Sequence, residues 1–180
     1  MKLKKLIFGA LLDFFEIVFI ASAVFAVVYV FLGQVLDVSG NSMNPTFTNG
    51  EKIVAEKISI KFEPPTRGEV VILRYPANPT DLLIKRIVGL PGETLKIQNG
   101  LVYVNGSILN ESYLISKVVT VGQQTISEGL SYQIPENSYV VMGDNRGESS
   151  DSRSFGAISK NLIVGREFLV IYPINKIRFL

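Results

Sequence analysis

The chain opens with an apolar block and then changes period. Residues 17–32 carry no charge and one aliphatic hydroxyl, Ser22, and the wider stretch 14–33 is interrupted only by Glu16. At about 1.5 Å per residue, a helix of that length spans roughly the 30 Å hydrocarbon core of a bilayer. A transmembrane helix is therefore expected over 14–33, after a short N-terminal segment, 1–13. Beyond residue 36 no long 3.6-residue period recurs. Short β-branched and aromatic runs over 69–75, 82–88, 101–104, 138–142 and 167–172 are instead separated by turn pairs such as Asn99-Gly100 and Asn105-Gly106. That is the pattern of antiparallel strands and hairpins. The expected fold is mainly β, with an antiparallel, coiled sheet domain over 34–180 that follows the single helix. A more polar, hairpin-like lobe is expected over about 97–136.

Charge orients the helix. Lys2, Lys4 and Lys5 precede it and nothing comparable follows directly, so the positive-inside rule predicts a cytoplasmic N-terminus with the β domain across the membrane. Ala21-Ser22-Ala23 has the small-x-small form of a processing site, the mark of a cleaved leader. Bulky apolar residues continue past Ala23 to Leu32, however, whereas a cleavage site closes its apolar region, so an uncleaved anchor is the preferred reading.

Composition then narrows the chemistry. The 18 Lys+Arg nearly balance the 16 Asp+Glu, for a net charge of +2, which argues against a nucleic-acid partner held by phosphate contacts. With no Cys, thiol catalysis, disulfides and Cys-ligated metals are excluded. With no His, a serine hydrolase must find another base. No cofactor is implied.

Three segments can carry chemistry. The first, Ser39-Gly-Asn-Ser-Met-Asn-Pro-Thr46, holds Ser42 within about 33 Å of the bilayer even if fully extended; read alone it is also an ordinary turn. In the second, 81–93, strand alternation sets Lys85 beside Leu83 and Ile87. A lysine in such company either snorkels into water or loses charge. Bringing an ordinary lysine from 10.4 to a pKa of 7 takes roughly 4.6 kcal/mol of bias against the ammonium, a shift that burial can supply. The third, 142–156, is a loop dense in Asp, Asn, Ser and Arg. Its acids lack the one-three-five spacing of a calcium loop, and Arg146 and Arg153 would repel a cation. Asp–Arg bracing, with Asp151 and Arg153 as the pair, is the simpler expectation.

Taken in order after one membrane helix, these segments resemble bacterial type I signal peptidases of the serine–lysine dyad kind. The matching pieces are Ser-Met-x-Pro-Thr at 42–46, Lys-Arg-x-x-Gly-x-Pro-Gly at 85–92 and Gly-Asp-Asn-Arg-x-x-Ser-x-Asp-Ser-Arg at 143–153. The resemblance implies that Ser42 is the nucleophile, Lys85 its general base and Ser149 the hydroxyl that orients the lysine amine. It further implies that Asp151 and Arg153 brace the loop, with Arg86, Asp144, Asn145 and Arg146 as scaffold. Some relatives place an oxyanion-binding serine two residues before the nucleophile, where this chain has Gly40, so a backbone group or Ser39 is the expected substitute. The implied substrates are signal peptides of exported preproteins, bound as an extended strand, with the lipid bilayer and the export machinery as further partners. The strands before Ser42 and up to Lys85 would flank that peptide. Val38, Met43, Phe47, Leu83 and Ile84 are the candidates for its pockets, each equally readable as core. The implied location is the plasma membrane, single-pass, with the catalytic domain outside. Two other readings share these residues: a catalytically silent, membrane-anchored β module that binds exported proteins, and a self-cleaving repressor type of serine–lysine protease, which would carry a DNA-binding region where this chain has an apolar helix.

Overall fold

The structure, a computed structural model, describes residues 2–32, 34–114 and 118–179. Gly33, at the end of the expected span, and residues 115–117 of the expected lobe lie outside the described residues. The chain divides into two compact units, 1–33 and 34–180.

The first unit is one helix, α1 (Lys2–Leu32). Its stretch Ile7–Phe25 is long and apolar enough to cross a membrane. Side chains such as Phe15, Ile17 and Phe19 are exposed on different sides of it, so its apolarity is not confined to one face. Ser22 satisfies its hydroxyl on the helix itself, donating to Val18 O at 2.7 Å.

The second unit is almost entirely antiparallel β. Its larger sheet holds β1 (Gln34–Asp37), β2 (Lys52–Glu56), β3 (Val70–Tyr75) and β4 (Asn78–Gly89). The smaller sheet is built from β5 (Thr94–Gln98), β6 (Leu101–Val104), β7 (Ser107–Ile108) and β8 (Ser131–Gln133). β9 (Ser138–Met142), β10 (Ile158–Ser159), β11 (Ile163–Tyr172) and β12 (Arg178–Phe179) return to the larger sheet. The order there is β1-β2-β11-β3-β4-β9-β10, with β12 on β11, and the smaller sheet runs β7-β6-β5-β8. Two short helices, α2 (Ser59–Phe62) and α3 (Ser152–Phe155), cover connections.

Local chemistry explains the smaller sheet. Asn99-Gly100 and Asn105-Gly106 all adopt positive φ, the requirement of the tight turns that match strand twist, and they join β5 to β6 and β6 to β7. This sheet buries Leu95, Ile97, Val102 and Ile134 against Val140 and Met142 of β9. In β3, Val70 and Ile72 pack into one cluster with Phe47 and Ile53, whereas Val71 and Leu73 pack into another with Ile87 and Val141. The larger sheet is thus covered on both faces at its centre, which holds β3 and β4 rigid.

Two strand edges prepare the site. β1 ends the sheet, pairing only with β2. β4 pairs with β3 from Leu82 to Arg86, but β9 joins its other side only from Arg86 onward. The stretch 82–85 therefore keeps one free edge.

Candidate active site

Ser42 lies in the loop between β1 and β2. The loop is closed at its base by Val38 N–H to Glu51 O at 2.8 Å and Gly50 N–H to Val38 O at 2.9 Å, and is stiffened inside by Phe47 N–H to Met43 O at 2.9 Å. Gly40 has φ +90°, a backbone conformation strained for any side chain, and its N–H is engaged with Asn49 Oδ1 at 3.0 Å. Glycine rather than serine at this position is thus what the turn requires. The Ser42 carbonyl accepts from Asn145 N–H at 3.0 Å, and Asn145 Nδ2 donates to Asn41 O at 3.1 Å.

Lys85 enters from β4, opposite Val71 in register. It is 2% exposed, and its Nζ lies 2.7 Å from Ser42 Oγ. Burial pulls the amine from an ordinary 10.5 down to about 8, against the Asp151 and Asp144 carboxylates, which favour the ammonium, and with help from the Arg153 guanidinium. Roughly a tenth of such an amine is neutral at pH 7, against about one part in 2,500 for a free lysine. A neutral amine at this distance can take the hydroxyl proton, which is how an alcohol becomes a nucleophile without histidine.

The loop after β9 holds both groups in register. Asp144 accepts from Arg86 Nε at 2.8 Å and Nη2 at 2.6 Å, and also from Thr46 Oγ1. Asp151 takes both arms of Arg153 at 2.8 Å and the Gly143 N–H at 3.1 Å. Burial by itself would raise the Asp151 pKa, but Arg153 and the Gly143 N–H hold it below the usual carboxylate range. Arg146 donates to Gly143 O at 3.1 Å, and its own carbonyl accepts from Arg153 Nη2 at 2.8 Å. Gly143 sits where no side chain fits: a Cβ there would come within 2.3 Å of Ser149 Oγ and 2.4 Å of Ser42 O.

Ser149 is buried beside this glycine, yet among the described residues its hydroxyl makes no hydrogen bond of normal geometry, to Lys85 Nζ or to any other group. It is near enough to Asp151 to help keep that carboxylate ionised.

A cleft of about 110 Å³ opens over the Ser42–Lys85 pair, lined by residues 36–40 on one side and 82–85 on the other, with Met43 and Ile72 between. Val38, Met43, Leu83 and Ile84 are among its walls. Phe47 is not. Its ring is 0% exposed, packed with Ile53 and Ile72 and capped by the Arg178 guanidinium 5.5 Å from its centroid, so the expectation of Phe47 as a pocket residue is corrected to core. Leu36, Ile72 and Leu82 line the cleft without having been singled out in the sequence, because the two walls belong to strands far apart along the chain.

A second cavity, of about 320 Å³, lies between Thr46, Arg86, Arg166 and Glu167. Burial pushes the Glu167 carboxyl up to about 8. Among the described residues there is no cluster of three or more metal-ligating side chains.

The family described as signal peptidase, peptidase S26, matches residues 11–172. A probable signal peptidase I-2 from Synechocystis sp. is 33% identical over 159 residues, covering 83% of this chain and 68% of that protein. Signal peptidase I P from Bacillus subtilis subsp. natto is 34% identical over 172 residues, covering 93% and 92%. A crystal structure of a signal peptidase I from Enterococcus faecalis V583 covers 58% of this chain and 97% of that one, at 28% identity and a TM-score of 0.49.

Proposed function

Since the chain belongs to the peptidase S26 family of signal peptidases, we propose that it is a membrane-anchored endopeptidase that removes signal peptides from exported preproteins, with Ser42 as nucleophile and Lys85 as general base. The observation that carries this reading is the 2.7 Å contact between Lys85 Nζ, buried and depressed to about 8, and Ser42 Oγ. Ser42 Oγ attacks the scissile carbonyl as its proton passes to Lys85. The resulting ammonium protonates the leaving amine when the C–N bond breaks, which leaves an acyl ester on Ser42. Lys85 then takes a proton from water, the hydroxide attacks the ester, and the proton returns to Ser42.

Charge on the carbonyl oxygen needs donors, and losing one costs about 2.7–4 kcal/mol of barrier. The Ser42 N–H makes no hydrogen bond among the described residues and is the first donor. Gly40 offers neither a side chain nor a free N–H, so Ser39, on the cleft wall, is the candidate for the second. Ser149, buried beside Gly143, remains the candidate to orient the amine.

Substrate enters as an extended strand between the free edges of β1 and of residues 82–85, where backbone pairing supplies affinity and the cleft selects side chains. A space this small suits methyl-sized side chains at the first and third positions before the cut. The basic residues at the start of α1, Lys2, Lys4 and Lys5, favour a cytoplasmic N-terminus, with the β unit on the outer face of the plasma membrane.

The test is processing, by the detergent-solubilised full chain, of a preprotein with Ala-x-Ala before its cut site. Cleavage after the second Ala by the wild type, with none by Ser42→Ala, is the expected result. Undiminished cleavage by Ser42→Ala would refute the assignment.

A further inference from the structure

After β7, Glu111, Tyr113 and Thr120 reach the scaffold of the site at two arginines. Glu111 forms an ion pair with the buried Arg146, which also donates to Thr120 Oγ1. Two residues on, Tyr113 donates its hydroxyl to Glu111 Oε1 at 2.8 Å and lays its ring against Arg86, with the guanidinium carbon 4.3 Å from the ring centroid. Arg86 is thus held by the Asp144 carboxylate, by Gly68 O at 2.7 Å and by Thr46 Oγ1 at 3.4 Å, and the Tyr113 ring covers one of its faces, while the Glu167 carboxyl lines the same cavity. Arg86 is also the chain neighbour of Lys85.

We infer that Tyr113 is a positioning residue for the base: its ring keeps the Arg86 guanidinium seated on Asp144, which limits the negative charge that Lys85 feels. The charged groups that bear on the amine are few. Asp144 and Asp151 favour the ammonium, Arg153 opposes it, and each carboxylate is matched by a bidentate arginine. Asp151 is locked within its own loop, to a partner two residues away. Asp144 depends on a guanidinium from β4, with Thr46 as its other side-chain donor, and Tyr113 covers one face of that guanidinium. A partly desolvated cation over a ring gains attraction from the ring's negative face. Without the ring, Arg86 gains freedom to tilt toward water, the Asp144 charge is less offset, and the ammonium form of Lys85 is favoured. Tyr113 does not line the cleft, so substrate binding is left alone.

This inference rests on Lys85 acting as the base, and the experiment separates the two claims. In the full chain in detergent, kcat and KM for preprotein cleavage are measured against pH for wild type, Tyr113→Phe, Tyr113→Leu, and a series with increasingly fluorinated phenylalanine at position 113. Fluorination preserves shape while draining the ring face of negative charge, so the series stands even if the leucine variant does not fold. Loss of the ring attraction is expected to move the ascending limb of kcat up by about half a pH unit, lowering kcat roughly threefold at pH 7 and restoring it near pH 10, with KM unchanged. Phenylalanine should behave as wild type, and fluorination should move the limb stepwise toward the leucine value. An unmoved limb across the series, or a loss equal at every pH, would mean that Tyr113 only fills space and would overturn the inference. Ser42→Ala and Lys85→Ala are assayed alongside: if either still cleaves, the proposed function itself fails, whereas if both are dead and the 113 series is flat, only the inference fails.

Discussion

Lys85→Met is expected to abolish processing while making the β unit more stable at neutral pH. The lysine's pKa is lowered on folding, from 10.5 to about 8. Between those values the unfolded chain binds the proton and the folded chain does not, so stability rises with pH across that window. Below about 8 the folded state carries a buried ammonium, which costs on the order of 3 kcal/mol relative to an uncharged side chain. Methionine replaces the stem without the charge and forgoes a hydrogen bond of about 1 kcal/mol. The net gain of about 2 kcal/mol at pH 7 should appear as a melting temperature several degrees higher and should vanish above pH 10.5. Activity should fall by about 10³-fold or more, the usual result of removing a base that acts as a unit with its nucleophile. Calorimetry at pH 7 and pH 11, beside a processing assay, checks both halves. A lower melting temperature at pH 7, or near-normal cleavage, would contradict the description of this lysine.

Asp151→Ala should have the largest effect on stability. The carboxylate is 0% exposed and is the bidentate partner of Arg153, itself 1% exposed. Its removal leaves a buried guanidinium uncompensated and the Gly143 N–H without its acceptor, a loss of about 3–5 kcal/mol. In the wild type the Asp151 pKa is depressed, so its stabilisation is fully present above the ordinary aspartate value near 3.9 and is lost as pH falls below it. Urea unfolding at pH 7 and pH 3 should show a large deficit for the variant at pH 7 that shrinks at pH 3. A deficit equal at both pH values would mean that the ion pair contributes little.

The parts of this architecture that are written locally could be read from the chain. The uninterrupted apolar run announced a helix, though α1 begins at Lys2 and not at the expected residue 14, and alternation located most strands. The run 101–104 coincides with β6 and 138–142 with β9, while β4 and β11 extend beyond the runs that announced them. The Asn-Gly pairs announced their turns, because few other residues tolerate positive φ. The segments that hold Lys85 and the Asp151–Arg153 pair stood out as polar chemistry beside strand-forming residues, whereas Ser42, in a segment that alone reads as a turn, was singled out by the family resemblance. What escaped was long-range. The cleft exists because the coiled sheet brings β1 near residues 82–85, and nothing in the pattern around Leu36 or Leu82 records a neighbour so distant in sequence. Phe47 illustrates the converse: an aromatic a few residues beyond Ser42 looks like a pocket wall, yet Arg178 from β12 closes over it. Glu111, Tyr113 and Thr120 belong to ion-pair and ring contacts with Arg146 and Arg86 that have no period at all. The closeness demanded of Gly143 is likewise visible only once Ser42 and Ser149 are set on either side of it.

The protonation of Lys85 is what distinguishes a working dyad from a lysine that happens to lie near a serine. The direct measurement is the pH dependence of kcat/KM for preprotein cleavage, with Glu167→Gln as a control because that carboxyl is also raised to about 8 and shares no contact with Ser42. The account predicts an ascending limb with an apparent pKa of about 8 in both proteins, since the free enzyme must lose the Lys85 proton before it can accept one from Ser42. A limb above pH 10, or one near 8 that disappears with Glu167→Gln, would contradict it.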